Sequence, residues 1–477
     1  WMPVSMEQLQ AGHETKAPGM IYGMEFPWSA ETLQHMGPFW LTKAFHAAGS
    51  LPQDNKVTAI RNIRYFVGGG NCSKLLFEVQ YEHPSDDLHT RLFAKIPYPL
   101  AGKTLSDRMS SSVMQQGGDL REINTYRLLE SRFPFRIPRY YFGDVSNQTT
   151  NWILITERIP FGEKDGENSL DPAYDKMKDW ELKGPLDEYY FLLVRLGARM
   201  AAAYKSEALA PLDVLHQFFE SGVRGPEMWG VRPEGSGLGD SEFKAKIKMG
   251  VDFVENTGKV LFPEACKTPE FIKLYKTALA TVNAYTSEVM WWNHRNPDYV
   301  AFIHGNLNVD NMWWWRKPDH TLEAGVLDWG GAGCLSIGNQ LWWWLYCCEY
   351  AFLKDSLDEL LGTFVEEYHL HGGPQLDKAE LRMQFTLAAM SQGVGLLGAV
   401  PQIYRMCPKK VWPEIKDSTD VRISANVDGK NTLRVYIGTF INICSMIQEW
   451  SIVPQLERWT GEVSSAAGIP KKSVAVP

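Results

Sequence analysis

The sequence is poor in paired cysteines, in basic blocks and in long apolar runs, and each shortage excludes something. The seven cysteines (Cys72, Cys266, Cys334, Cys347, Cys348, Cys407 and Cys444) are scattered and odd in number, without C-x-x-C spacing. Neither a zinc site nor a disulfide framework is indicated, and the cytoplasm or another reducing compartment fits such a chain. The neighbours Cys347 and Cys348 lie in an aromatic, apolar run and read as small buried hydrophobes rather than redox centres. Lys and Arg number 48 against 56 Asp and Glu, a balance of -8 with no cluster of one sign, which argues against nucleic acid as a partner. No apolar stretch reaches the roughly 20 residues that span a bilayer, since even "LWWWLYCCEYAFL" is broken by Glu349, so no transmembrane segment is expected. The first residue is Trp1, which reads as a processed or truncated start and leaves organelle targeting open.

What is present is a chain of 477 residues, 44% hydrophobic, long enough for more than one lobe. Residues 1–59 read as an N-terminal extension, with a helix pair started at Ser29 and stopped at Gly49. From residue 60 the pattern changes to period two. "SKLLFEVQY" and "RLFAKIPY" predict antiparallel strands joined by "HPSDD", and "NWILITERI" predicts a third, buried strand. Between them "DLREINTYRLLESRF" carries Leu120, Ile123 and Leu128 at helical spacing, so residues 60–162 form a small lobe of strands with one helix. Residues 163–452 are mostly of helical period. Within them the Gly- and Pro-rich stretch 223–243 predicts a long mobile loop; residues 453–477 read as a C-terminal tail, of which 464–477, small and polar, read as disordered or linker-like.

Three constellations carry possible chemistry. In "VGGGNCSK", Gly68, Gly69, Gly70 and Ser73 offer a backbone nest for phosphate oxygens, although a glycine-rich hairpin turn explains the same residues. Lys95 places an ammonium in an apolar strand, and Glu122 on the next helix is spaced to pair with it; two solvent-facing residues are the ordinary alternative. Asn311 and Asp328 flank a predicted hairpin and bring two oxygen donors together, a set suited to Mg²⁺ on nucleotide phosphates. His304 organises the loop before Asn311 by hydrogen bonding, a role a purely structural histidine would also fill. The 18 tryptophans, "WWW" at 313–315 and 342–344 among them, are read mainly as core packing rather than as a substrate wall.

"HGNLNVDN" followed by "VLDW" resembles the H-G-D-x-x-x-x-N and (I/L)-D-W/F loops of the aminoglycoside phosphotransferase, choline kinase and ecdysteroid-kinase-like group. These are small-molecule kinases with a protein-kinase-like fold. The resemblance runs from about Gly68 to Trp344 in the family's order. It implies an α+β bilobal fold, with a small antiparallel-sheet N-lobe and a larger, mostly helical C-lobe that bind ATP and Mg²⁺. It further implies Lys95 on the phosphates with Glu122 as partner, the backbone from Glu157 to Ile159 around the adenine, and Asn311 and Asp328 on the metal. The acceptor would be a hydroxyl of a small molecule, oriented at Asn306.

Asn306 stands where the family has its catalytic Asp. An amide accepts a hydrogen bond but takes up no proton, and loss of a general base costs about 10²–10⁴-fold in rate. Gln340 likewise replaces a second acid, and Asp310, the nearest carboxylate, belongs to the turn beside Asn311. Two readings follow: a phosphotransferase with impaired turnover, or a pseudokinase that serves as a binding or scaffold subunit for a protein partner.

Overall fold

The computed structural model describes residues 4–68, 72–100, 118–219, 237–427 and 429–477. The chain forms two compact units: Trp1–Ala173, Asn311–Ala332 and Asp428–Lys430 make the first, and Tyr174–Asp310, Gly333–Val427 and Asn431–Pro477 the second. The first is built on antiparallel sheet and the second is mostly helical, so the fold class is α+β.

The first unit opens with α1 (Met6–Gly12) and α2 (Ala30–Ala48). Ser29 caps α2 by accepting from Thr32 N–H, and Gly49 closes it in the left-handed region, as the capping residues predict. Between these ends Gly37 leaves helical geometry at φ +67° and ψ -168° ahead of Pro38, so the segment is the expected pair of helices meeting at a kink. Five strands follow: β1 (Val57–Phe66), β2 (Ser73–Tyr81), β3 (Arg91–Ile96), β4 (Tyr140–Val145) and β5 (Trp152–Glu157), with α3 (Gly118–Leu129) between β3 and β4. They form one antiparallel sheet in the order β1-β2-β3-β5-β4. Alternate residues of β2 and β3, among them Leu75, Phe77, Val79, Leu92 and Ala94, pack against Leu33, Leu41, Ala44 and Phe45 of α2. The first sixty residues therefore cover a sheet face that would otherwise be open to water.

A second, four-stranded sheet in this unit joins β6 (Lys164–Asp165) and β7 (Asn168–Leu170) to the hairpin of β9 (Met312–Arg316) and β10 (Leu322–Val326). In the helical unit, β8 (Val300–Ile303) pairs with β11 (Gly333–Ser336). Its principal helices are α4 (Leu186–Lys205), α5 (Leu212–Phe218), α6 (Asp240–Asp252), α7 (Pro269–Ala284), α8 (Thr286–His294), α9 (Ile337–Leu345), α10 (Tyr350–Leu370) and α11 (Lys378–Leu397). No single helix among the described residues is long and apolar enough to cross a membrane.

One expectation lies mostly outside the described residues and another is corrected in part. Of the Gly- and Pro-rich stretch 223–243, residues up to 236 lie outside the described residues, and from Asp240 on it is the start of α6. The stretch 464–477 is not loose at its start, because Ser464–Ala467 end a helix, Ile452–Ala467, that buries Ile452, Leu456, Trp459 and Val463. Beyond it, Lys472 pairs at 2.6 Å with the fully buried Glu288, the only acid that α8 holds away from water. The small, polar residues at the end of the sequence gave no sign of that apolar stripe, because it is carried by four large residues spaced a turn apart within the preceding segment.

Candidate active site

In the sheet unit, β3 turns Lys95 to the interior, where it is 7% exposed, and α3 presents Glu122, 4% exposed. Lys95 Nζ donates to Glu122 Oε1 at 2.7 Å and also to Asp328 Oδ1. The same Glu122 oxygen accepts the backbone N–H of Trp329 at 3.1 Å. Burial opposes the charge on Lys95, but the Asp328 and Glu122 carboxylates outweigh it and hold the ammonium well above its ordinary pKa. Burial raises the Glu122 carboxyl, against the pull of Lys95. The Asp328 side chain is 47% exposed, so the triad has a buried pair and one carboxylate facing outward.

The glycine segment is described only at its ends. Gly68 O accepts from Lys74 Nζ at 2.5 Å, and Ser73 starts β2 opposite Ile96 of β3. Gly69 and Gly70 lie outside the described residues. Under the segment, burial pushes the Cys72 thiol up to about 11 in spite of Lys74 and Lys95, which makes it an inert filler.

The β9–β10 hairpin brings the two expected oxygen donors together: Leu327 N–H donates to Asn311 O at 3.0 Å, so Asn311 stands beside the residue preceding Asp328. Asp328 itself adopts φ 68°, ψ 61°, a left-handed conformation that is uncommon for a non-glycine residue and aims its carboxylate at Lys95. Gly325 lies opposite Trp313, and a Cβ there would come within 2.1 Å of the indole, so only glycine admits the ring. Trp329 stacks on Phe133 at 4.5 Å and Phe135 at 6.2 Å. Arg136 follows, 3.0 Å from Asp165 and over the rings of Trp313 and Trp315, while its carbonyl accepts from Val326 N–H at 3.0 Å. These four residues, Phe133, Phe135, Arg136 and Trp329, brace the Asp328 turn. Sequence reasoning missed them; the only signal was "FPFR" directly after the helix.

At the end of β5, the Glu157 side chain is committed to structure: it is 6% exposed, accepts from Arg139 N–H at 3.1 Å and lies 3.5 Å from His89. Its backbone is engaged as well, the N–H donating to Arg139 O at 2.8 Å and the carbonyl accepting from Thr156 Oγ1 at 3.1 Å. Ile159 belongs to a buried apolar cluster with Leu170, Trp313 and Trp315, against which Phe161 and Leu327 pack. The alternation of β9 thus puts Trp313 and Trp315 on one face and Trp314 on the other, and all three are buried.

The helical unit carries the loop after β8. His304 is fully buried; its Nδ1 accepts the N–H of Asn306 at 3.0 Å, so a neutral ring carries its proton on Nε2. His304 O accepts from Trp344 Nε1 at 2.7 Å. Trp344 gets that close because α4 has Gly197 there, where a Cβ would be 2.3 Å from the indole. Asn308 donates to the carbonyls of Trp343 and Trp344 at 2.8 and 3.0 Å, satisfying the C-terminal end of α9. Asn306 is half-buried, and Gln340 is buried on α9. His304 and Asn306 are thus held by backbone and by α9, while Lys95, Glu122 and Asp328 converge in the sheet unit.

Nearby, Asp179 accepts from Tyr190 OH at 2.8 Å and Glu349 N–H at 2.9 Å, and burial pushes its carboxyl up to about 6. Since the folded state holds the proton more tightly than the unfolded one, this contribution to stability is complete below about pH 4 and lost as pH rises through 6. Denaturation at pH 4 and pH 7 should show a loss on the order of 3 kcal/mol in the native chain that Asp179→Asn lacks.

No family model and no curated protein matches the sequence. Among solved structures, the chain is similar to an amicoumacin kinase in complex with AMP-PNP, Ca²⁺ and Ami (11% identity, TM-score 0.38, 83% of this chain and 91% of that one). It is similar to a choline kinase from Cryptosporidium parvum Iowa II (12%, TM-score 0.37, 84% and 93%). A third is the GDP complex of an aminoglycoside 2'-phosphotransferase-IIIa (14%, TM-score 0.36, 75% and 92%). At TM-scores below 0.5 these likenesses carry no part of the functional reading, which rests on the side-chain geometry. That geometry is Lys95 on the third strand of an antiparallel sheet, meeting Glu122 of the following helix and Asp328 after the β9–β10 hairpin.

Proposed function

We propose that the chain is an ATP- and Mg²⁺-binding phosphotransferase that acts on a hydroxyl of a small molecule, with turnover slowed by Asn306. The observation that carries the reading is the buried contact of Lys95 with both Glu122 and Asp328. A lysine hidden in a sheet with two carboxylates costs desolvation that a purely structural role would avoid by using an apolar residue. In a nucleotide site the same set has work to do: Glu122 fixes the ammonium, and the half-exposed Asp328 can turn from Lys95 to a metal, leaving Lys95 for phosphate oxygens.

The donor set suits magnesium. Among the described residues no three His, Cys, Asp or Glu side chains gather as a protein-only metal site. Mg²⁺ takes one or two protein oxygens and completes its shell with water and phosphates, and Asp328 with Asn311 supplies that number. When bound, the metal neutralises phosphate charge. Ile159 and its apolar cluster form a surface for a purine ring, and Asn306, fixed by His304, accepts a hydrogen bond from the acceptor hydroxyl through its carbonyl. The seven free, buried cysteines support a reducing compartment such as the cytoplasm.

A second reading keeps the same nucleotide residues but no turnover, with the chain acting as a pseudokinase subunit for a protein partner. The amides at Asn306 and Gln340, where acids would take up protons, favour it. Both readings require nucleotide. Calorimetry with ATP should give a dissociation constant on the order of 1 μM–1 mM with Mg²⁺ and far weaker binding in EDTA. No binding in either condition sinks both.

A further inference from the structure

Lys176 stands out in the helical unit. It is 9% exposed, yet its ammonium has no hydrogen-bond acceptor in reach among the described residues, and the nearest carboxylate, Asp310 of the His304 loop, is 3.9 Å away. Its backbone, by contrast, is fully used: its N–H donates to Asp175 Oδ1 at 3.0 Å and its carbonyl accepts from Arg434 Nε at 2.7 Å. The main chain is fixed while the charged tip keeps its three donors unspent. A mostly buried lysine whose tip still reaches solvent, and whose one ion pair is at 3.9 Å, has room for a further acceptor, unlike Arg434, which pairs at 2.6 Å with Asp175.

The surroundings give the tip a place to act. The next residue, Met177, lines a cavity of about 210 Å³ together with Trp180, Cys347, Tyr350, Ile437 and others. Tyr350 OH is engaged with Ser445 O and Asn442 with the carbonyls of Tyr346 and Cys348, while Ile423, Ile437 and Ile441 give the cavity an apolar side and Glu349, Arg434, Ser418 and Thr419 a polar one. Burial raises the Cys347 thiol, Lys176 lowers it, and Asp310 and Asp179 raise it, so the ammonium, the loop and the cavity wall lie close together.

We propose that Lys176 binds a phosphate group at the His304–Asp310 loop, with the apolar side of the cavity next to it taking the body of a phosphate monoester. This rests on the phosphotransferase reading and deepens it, giving the acceptor side a cation that the loop motif itself lacks. A phosphate oxygen supplies the strong, charge-assisted acceptor that the ammonium is missing, and Asp310 at 3.9 Å sets the ammonium's direction without using its donors.

The test is NMR of the full-length protein with ¹⁵N-labelled lysine, in which Lys176→Arg identifies the Lys176 Nζ signal. Titration with inorganic phosphate should move that signal saturably, while chloride at equal ionic strength should not. Phenyl phosphate should bind at least tenfold more tightly than inorganic phosphate if the ligand is a monoester; equal affinity would assign the site to free phosphate and overturn the cavity's part. Lys176→Met should lose binding of both probes at least tenfold while its melting curve and its Mg–ATP calorimetry stay native. An unmoved signal with both probes, or unchanged affinity in Lys176→Met, overturns the proposal. Failure of the nucleotide reading would appear separately, as absent Mg–ATP binding in the native chain.

Discussion

Asn306→Asp is expected to raise phosphoryl turnover by about 10²–10⁴-fold, the range a positioned general base supplies. Asp and Asn are nearly isosteric, and the loop is held independently of the side chain at 306. His304 Nδ1 accepts the Asn306 backbone N–H, Trp344 holds His304 O, and Asn308 anchors the next turn. The substitution therefore adds a carboxylate in a preformed place and should leave Mg–ATP affinity within about twofold, since positioning and metal electrostatics are separate contributions to phosphoryl transfer. ATP hydrolysis, with water as the acceptor, reads the change without knowledge of the natural acceptor. A gain confined to the rate identifies a kinase lacking only its base. No gain, with nucleotide binding intact, favours the pseudokinase reading, in which the acceptor side has also been lost.

Lys95→Met should abolish measurable Mg–ATP binding and destabilise the sheet unit. Removing the ammonium leaves Glu122, 4% exposed, without its counter-ion beside a second carboxylate, and breaking a buried pair in this way costs about 3–5 kcal/mol. The half-exposed Asp328 is screened by water and adds less. To separate folding from binding, Lys95→Met should be compared with the double variant Lys95→Met/Glu122→Leu. The second change removes the stranded acid, so stability should recover substantially while nucleotide binding stays lost. Equal affinity in native and Lys95→Met protein would remove Lys95 from the phosphate site. A stability unchanged by Lys95→Met would show that the triad is not coupled in solution.

Much of the sheet unit could be read along the chain because its signals are local. Period-two alternation gave β2 and β3, a short buried run gave β5, the helical stripe gave α3, and Ser29 and Gly49 marked both ends of α2. The helix pair was legible, while the kink at Gly37 that divides it was not placed, because helix-breaking residues do not say whether the axis stops or turns. The tail was misread because composition averages over 464–477, whereas its helix is held by Leu456, Trp459 and Val463 docking on the helical unit. The tryptophan runs were rightly read as packing, yet not their reason: Gly325 and Gly197 provide the openings that Trp313 and Trp344 fill, and those openings come from segments far away in sequence.

The sequence by itself determined which residue types were available: a lysine in an apolar strand, a glutamate on the next helix, Asn311 and Asp328 about a hairpin, and an amide at 306 in place of an acid. It also determined the α+β class, because periodicity depends only on neighbours along the chain. Only the tertiary structure decided that Lys95 meets Glu122 and Asp328 at once, that Trp329 N–H shares the Glu122 oxygen, and that Phe133 and Phe135 brace that turn. Only it showed Lys176 buried with its donors unspent beside Asp310, 134 residues later in the chain. Burial and ion pairing are properties of groups brought together across long sequence separations, and the cost of a hidden charge becomes visible only when its full surroundings are in place.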